Sequence, residues 1–290
     1  MIVLAAGAIE SPRLWLNSRL PNPNGWVGRG MTNHFEDLVA GLMPFDTSLT
    51  KGPTSAARAD FPGRGSVQLV GAPAADSAGL LAVGTLPGRR GESVTRGRSN
   101  GRLVGSELTD FLARIDHVLS IIILTDDDVD RRNRVSLSNA LVPDAHGRVP
   151  RIDVPLAGRT ARSIRNREFL LRQAAAILER AGAVAIHQID SPPVLGHIHS
   201  TLRMGLDPAD SVLDPHGEAR WVRRLFVAYN SALSNSLGGP NPTLTTQALA
   251  TRLAERIFQR YFGGTPWVTK ESPTTSTDDR VTVAVRQRGL

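Results

Sequence analysis

The longest mainly apolar run in this 290-residue chain is Val118–Leu124, VLSIIIL, and Thr125 followed by Asp126, Asp127 and Asp128 ends it at once. It falls far short of the roughly 18 to 20 apolar residues that cross a bilayer as a helix. It reads as a buried strand, and the fold has to supply a sheet that hides it. Further strands are expected at Leu38–Met43, Val67–Gly71, Leu80–Leu86, Arg132–Ser138, Val184–Gln188 and Leu225–Ala228, with a short one at Ile2–Ala5. Long stretches rich in Gly, Ser, Pro and Arg separate several of them, 87–107 above all, and regular helices do not. That pattern predicts an antiparallel or mixed sheet with helices on one side.

Three helices are expected. Ser11-Pro12 opens one that runs to about Asn17, proline being favourable at the first helical position. The clearest spans about Thr160–Arg180, where Ile164, Leu171, Ala175 and Leu178 recur at helical spacing and Gly182 follows as a terminator. The third covers about Thr243–Arg260, and the Thr-rich polar tail from Gly263 reads as loose.

Composition narrows the chemistry. Hydrophobic residues make up 41% but aromatic ones only 5%, so the core must be aliphatic. With no cysteine, disulfides, thiol catalysis and cysteine-held metal or iron–sulfur sites are excluded. The net charge of +7 is nearly all arginine, lysine occurring only at Lys51 and Lys270. The arginines are scattered and lack the basic patch with interleaved aromatics of a nucleic-acid binder, so a solvated basic surface is expected, with no nucleic-acid or membrane partner. The N-terminal residues lack a basic segment and a long enough apolar one for a signal peptide, which favours a cytoplasmic protein over a secreted one.

Several motifs invite a functional reading. His197 and His199, in GHIHSTLRMG, would face the same side of a strand and have three possible uses: metal ligands, structural histidines or a catalytic base. A metal would need a further ligand, and nothing fixes the spacing of Asp190, Asp207 or Asp210 for that purpose. Gly97–Gly101 has the GxSxG spacing but sits in an Arg/Gly-rich stretch, without the strand and helix that a nucleophile elbow requires. Asp126–Asp128 with Asp130 lack the spacing, glycine and glutamate of a calcium loop and read as a solvated strand end. No GxGxxG fingerprint occurs, Gly28-Arg29-Gly30 having no third glycine at the required offset.

Two distant segments carry a resemblance. IVLAAGAIESPRLWLNS (2–18) is similar to VLAAGAIxSPxLLLxS. HIHSTLRMGLDPADSVLD (197–214), LFVAYNSALSN and GGPNPTLTTQALATRLAERI (238–257) are similar in order and spacing to HxxGTxRMG, SVVD, NLYVADGSVFPT and NPTLTxxALAxRxA. Together they resemble the C-terminal portion of the glucose–methanol–choline (GMC) family of flavin oxidoreductases. The resemblance implies an FAD-dependent enzyme acting on CH–OH donors, with a small-molecule alcohol or sugar as substrate. His197 falls on the histidine that takes the hydroxyl proton, and Asn241 on the group that hydrogen-bonds the same oxygen. Moving a hydride to the flavin becomes easier as the alcohol loses its proton, and a near-neutral imidazole suits that transfer. Ala6, Gly7 and Ala8 match a turn beside the cofactor, and Asn33 and His34 match GRxLxDH, which passes the flavin. Tyr229, Asn230, Pro242 and Thr243 are further cofactor-contacting positions by the same resemblance. No metal site is implied, and His199 is assigned packing.

The family's βαβ segment with GxGxxG is not found in this sequence, which leaves four explanations: a gene fragment, a wrongly called start, a split enzyme whose partner is an N-terminal FAD-binding half on a separate chain, or a degenerate remnant. The implied fold is α+β: an antiparallel substrate-domain sheet with helices plus an incomplete piece of an α/β FAD-binding domain. The implied boundaries are 1–35 (FAD-binding piece), 36–190 (substrate domain), 191–262 (catalytic segment) and 263–290 (tail). Three positions depart from the pattern. Ser200 replaces the glycine of HxxGT, Tyr229 and Asn230 stand where small residues are usual, and Leu233-Ser234-Asn235 replaces FPT. A tyrosine there would crowd the flavin. The alternative reading is a non-catalytic remnant or assembly module that keeps the substrate-domain shape.

Overall fold

A computed structural model describes residues 1–34, 36–51, 53–55, 57–71, 85–86, 103–154, 159–194, 196–263 and 283. The chain divides into two compact units, Met1–Pro242 and Thr243–Leu290. The fold is α+β, as the sequence pattern predicts.

The centre of the first unit is a six-stranded sheet. Its strands are β2 (Glu36–Leu42), β3 (Arg58–Phe61), β4 (Gly65–Val70), β5 (Thr85–Leu86), β6 (Val118–Thr125) and β9 (Ala185–Val194), in the order β3-β4-β6-β2-β9-β5. All neighbours are antiparallel. The apolar run of β6 pairs with β2 on one side and β4 on the other, with Val39 opposite Ile121 and Val67 opposite Ile123. Side chains alternate along a strand, and β2 divides accordingly. Val39 joins Ile121, Ile123, Leu170, Leu171, Ala174 and Leu178 in one core, under helix α3 (Ala161–Arg180). Leu38, Ala40 and Leu42 join Phe111 and Val118 in another, against helix α2 (Gly105–Leu112). Both faces are therefore covered, which corrects the expectation of helices on one side. It also explains why β6 reads as a continuous apolar run instead of an alternating one.

Helix α3 begins after Thr160, whose hydroxyl accepts from the Ser163 N–H as a cap, and Gly182 follows it at φ 96°. Ile164 is a correction. It lies on the helical stripe by spacing but is 43% exposed, because the buried stripe starts at Ser163 and Asn166, near the capping end. Helix α2 and strand β3 were not expected. Helix α2 has only eight residues and no side-chain cap, and β3 is an edge strand, RADF, with one large apolar residue.

The same unit also contains residues 2–18 and 197–235, which carry most of the family resemblance. Strand β1 (Ile2–Leu4) pairs in parallel with β10 (Leu225–Val227), Leu4 opposite Val227. Helix α1 runs from Gly7 to Asn17, one turn earlier than the Ser11-Pro12 signal suggests, so Pro12 lies inside the helix and not at its start. Trp15 packs there with Val27, Leu202, Leu213 and Val227. Strands β7 (Arg134–Leu137) and β8 (Pro150–Asp153) form a two-stranded antiparallel sheet.

The second unit contains helix α4, Thr243–Phe262. Among the described residues, no helix is long and apolar enough to cross a membrane. Residues 80–84, 87–101 and the tail from 264 lie outside the described residues except Val283, and with them the Gly97–Gly101 motif.

Candidate active site

Because β1 and β10 are parallel, their carboxyl ends lie together. There the chain turns into Ala5–Ala8 after β1 and into Ala228–Asn230 after β10, and the Ala228 N–H bonds the Leu4 carbonyl at 3.0 Å. In open parallel sheets this is the end where ligands bind. The segment His197–Met204 is stitched across both turns. Thr201 Oγ1 donates to the Ala8 carbonyl at 2.7 Å, and the N–H groups of Ser200, Leu202 and Met204 donate to the carbonyls of Asn230, Ser231 and Ala232. Gly7 faces Tyr229: a Cβ at Gly7 would lie 3.9 Å from the tyrosine ring. Tyr229 itself is 43% exposed. Candidates drawn from positions 6–8, 197–201 and 229–230 thus converge.

A second pairing brings in positions 32–34. Thr32 and His199 exchange two backbone hydrogen bonds as an antiparallel bridge. Two residues further along each segment, in opposite directions, stand His34 and His197. Their Nδ1 atoms are 2.9 Å apart, with the rings edge-to-face. The Asn33 side chain accepts from the His197 N–H at 3.2 Å. The segment around His197 is a bridged irregular stretch, not a regular strand, yet His197 and His199 both lie against the His34 ring, at 4.9 and 5.0 Å between centroids. His199 is fully buried, its ring 5.0 Å from that of His34.

Burial separates the three imidazoles electrostatically. It pushes His34 down to about 4 and His199 down to about 3, so both are neutral near pH 7. His197 is lowered by burial too, but it is only half-buried. It is the most exposed member of the trio.

The aspartate run is a further correction. Asp127 is buried, and burial raises its carboxyl well above the usual range. Asp126 and Asp128 pair with Arg162. The run is a packed junction at the end of β6 and not a solvated strand end. Ser236, to which sequence reasoning gave no role, ties this junction to the histidines. Its carbonyl accepts from His34 Nε2 at 2.7 Å, and its hydroxyl donates to Asp126 and accepts from the Asp127 N–H. Nothing in SALSNSLGG marks that serine apart from its neighbours. Asn241 is exposed and Pro242 buried. Thr243 is the first residue of α4, in the other unit. Apart from this site, a cleft of about 380 Å³ is lined by Arg29, Arg134 and Arg148 together with Leu16, Val27 and Val135.

Comparison with known proteins agrees with this architecture. The family model described as GMC oxidoreductase matches residues 129–250. Paromamine 6′-oxidase of Streptomyces fradiae is 29% identical over 267 residues, which cover 88% of this chain and 44% of that protein. The 2-methyl-1,2-propanediol dehydrogenase of Mycolicibacterium austroafricanum is 39% identical over 71 residues, 24% of this chain and 13% of that one. The solved pyridoxine 4-oxidase from Mesorbium loti superimposes with a TM-score of 0.53 at 18% identity, covering 91% of this chain and 52% of that one. An Aspergillus oryzae formate oxidase, in a structure concerned with modification of its FAD, gives a TM-score of 0.58 at 11% identity, covering 90% and 54%. Residues 129–250 thus match the C-terminal domain of the GMC oxidoreductases. It spans about half the length of the curated relatives it matches.

Proposed function

We propose that this chain is the substrate-side portion of an FAD-dependent oxidoreductase that oxidises CH–OH groups of small alcohols or sugars. One observation carries the reading. The half-exposed imidazole of His197 is held, through Ser200 and Thr201, at the carboxyl ends of β1 and β10, beside two buried histidines that stay neutral. The relatives add support, since two are named for oxidation of paromamine and dehydrogenation of a diol.

The residues suit an FAD edge. Ala5 and Ala6 are small and exposed, Gly7 leaves room beside Tyr229, and the first backbone N–H groups of α1 carry no side-chain cap. Uncapped N–H groups at a helix start attract anions such as phosphate. Ala6, Gly7, Ala8, Tyr229 and Asn230 would hold the cofactor, Asn33 and His34 would flank it from the other segment, and Pro242 and Thr243 follow from the resemblance alone. FAD supplies a hydride acceptor when bound. His197 takes the hydroxyl proton, so that the carbon releases its hydride as the C–O bond becomes C=O. Asn241 holds the alcohol oxygen. Residues 36–190, chiefly the six-stranded sheet, shape the substrate pocket, and 191–262 return the catalytic segment to the cofactor.

A nucleotide-binding half is part of this proposal, in the same polypeptide or a separate one. Parallel sheets are ordinarily covered on both faces, yet Ile2 is 65% and Val3 49% exposed on the β1–β10 pair. That apolar edge is suited to packing against such a half.

The test is an absorption spectrum of the chain, alone and mixed with an FAD-binding half, after incubation with FAD and desalting. Retained flavin that an alcohol bleaches anaerobically supports the proposal. A folded chain that holds no flavin in either case would leave the non-catalytic module as the better reading.

A further inference from the structure

The reading of His197 as a base leaves open which of its two nitrogens carries the lone pair. The hydrogen bonds around His34 decide it. The Ser236 carbonyl can only accept, so His34 Nε2, 2.7 Å away, must carry a hydrogen. A neutral imidazole has one N–H, so His34 Nδ1 is then an acceptor. The atom opposite it, at 2.9 Å, is His197 Nδ1. Two facing lone pairs would repel at that distance, so His197 Nδ1 must be the donor. A neutral His197 therefore carries its hydrogen on Nδ1 and its lone pair on Nε2.

We infer that His34 is a positioning residue for the proposed reaction: through its bond to the Ser236 carbonyl it fixes His197 as the Nδ1–H tautomer, with Nε2 as the basic atom. The inference rests on the proposed function only for its purpose; the tautomer itself follows from the geometry. Free imidazole side chains in water favour the opposite, Nε2–H form, so the site holds His197 in its less common state. When His197 Nε2 takes a proton, its Nδ1–H bond to His34 persists and becomes charge-assisted. Burial keeps His34 neutral and thus able to accept. Among the described residues, no other group donates to His34 Nδ1; Arg58, the nearby cation, bonds Asp60 instead. His199 turns its Nδ1 toward Thr32 Oγ1 at 3.4 Å, and Asp126 reaches the site through the Ser236 hydroxyl. No residue of the HIH motif could do this alone, because the determinant is a backbone carbonyl 39 residues further along the chain (236 − 197).

The experiment is two-bond 1H–15N correlation NMR of the full chain labelled at histidine, with His197→Gln used to assign the His197 signals. The wild type should show His197 as the Nδ1–H tautomer at neutral pH. His34→Leu, which removes the acceptor, should shift His197 to the Nε2–H form. His34→Asn, whose side-chain oxygen falls near the place of Nδ1, should restore Nδ1–H. A wild-type His197 in the Nε2–H form overturns the inference, and that measurement needs no variant to fold. So does an unchanged tautomer in a folded His34→Leu. If the tautomer is as stated but an assembled enzyme keeps its rate on loss of His197, the proposed role of His197 fails and the positioning role with it, while the tautomer assignment stands.

Discussion

His34 Nδ1 and His197 Nδ1 lie 2.9 Å apart although 163 residues separate them. The contact is made by the bridge between Thr32 and His199, which lays the two segments side by side in opposite directions. It joins the turn that follows α1 to the motif that precedes β10. Around it the chain assembles a half-exposed imidazole, a neutral buried acceptor and a carbonyl that orients it.

The first prediction concerns His197. In a complete enzyme, His197→Ala should slow flavin reduction by about 10²- to 10⁴-fold, the usual contribution of a general base, while flavin remains bound. Anaerobic stopped-flow absorbance measures both. An unchanged rate removes His197 from the role of base.

Acid should destabilise the fold through the buried histidines. His34 and His199 titrate in the folded state at about 4 and about 3, below the ordinary 6.5. Between 6.5 and those values the unfolded chain binds more protons, so stability is present at neutral pH and is lost as pH falls through that window. Asp127, raised by burial, acts with the opposite sign, since acid relieves its buried charge. The decisive quantity is therefore a difference. His199→Gln should lose less melting temperature between pH 7 and pH 4.5 than the wild type does, and equal losses in differential scanning calorimetry would contradict this.

Ser200 occupies the position where the family pattern has glycine, and it sits at φ 68°. A side chain in the left-handed region costs roughly 1–2 kcal/mol, part of which glycine gives back through its freer unfolded state. Ser200→Gly should raise the urea midpoint by the equivalent of about 1 kcal/mol. A lower midpoint would mean that the serine hydroxyl contributes more than its backbone costs.

Gly65 and Gly63 offer a paired test of packing against backbone. Both have positive φ, but a Cβ at Gly65 would lie 2.1 Å from the Leu124 carbonyl, whereas one at Gly63 meets nothing within 4 Å. Gly63→Ala should cost about 1 kcal/mol from its dihedral angle alone. Gly65→Ala must also separate β4 from β6, and should cost about 3 kcal/mol or more. Chemical denaturation of the two variants checks the ranking; equal costs would show that the strand start yields easily.

Much of the fold is legible in the residues. The aliphatic run of β6 identifies a central strand, and the 3.6-residue recurrence of Leu171, Ala175 and Leu178 identifies the helix that covers it. Ile164 escapes that rule because a stripe is buried only where a sheet lies beneath it. The eight-residue α2 escapes because a short, uncapped helix leaves little mark and is held by packing Phe111 against the sheet. At the site, the sequence determines the cast: His197 in its motif, the small turn at Ala6–Ala8, and Asn33–His34. It does not determine who touches whom. That His34 meets His197, that Ser236 supplies the fixing carbonyl, and that Asp127 is buried at a strand end were decided by tertiary structure. The physical reason is that hydrogen bonds between segments more than a hundred residues apart depend on how sheets and bridges align, and no local pattern encodes that alignment.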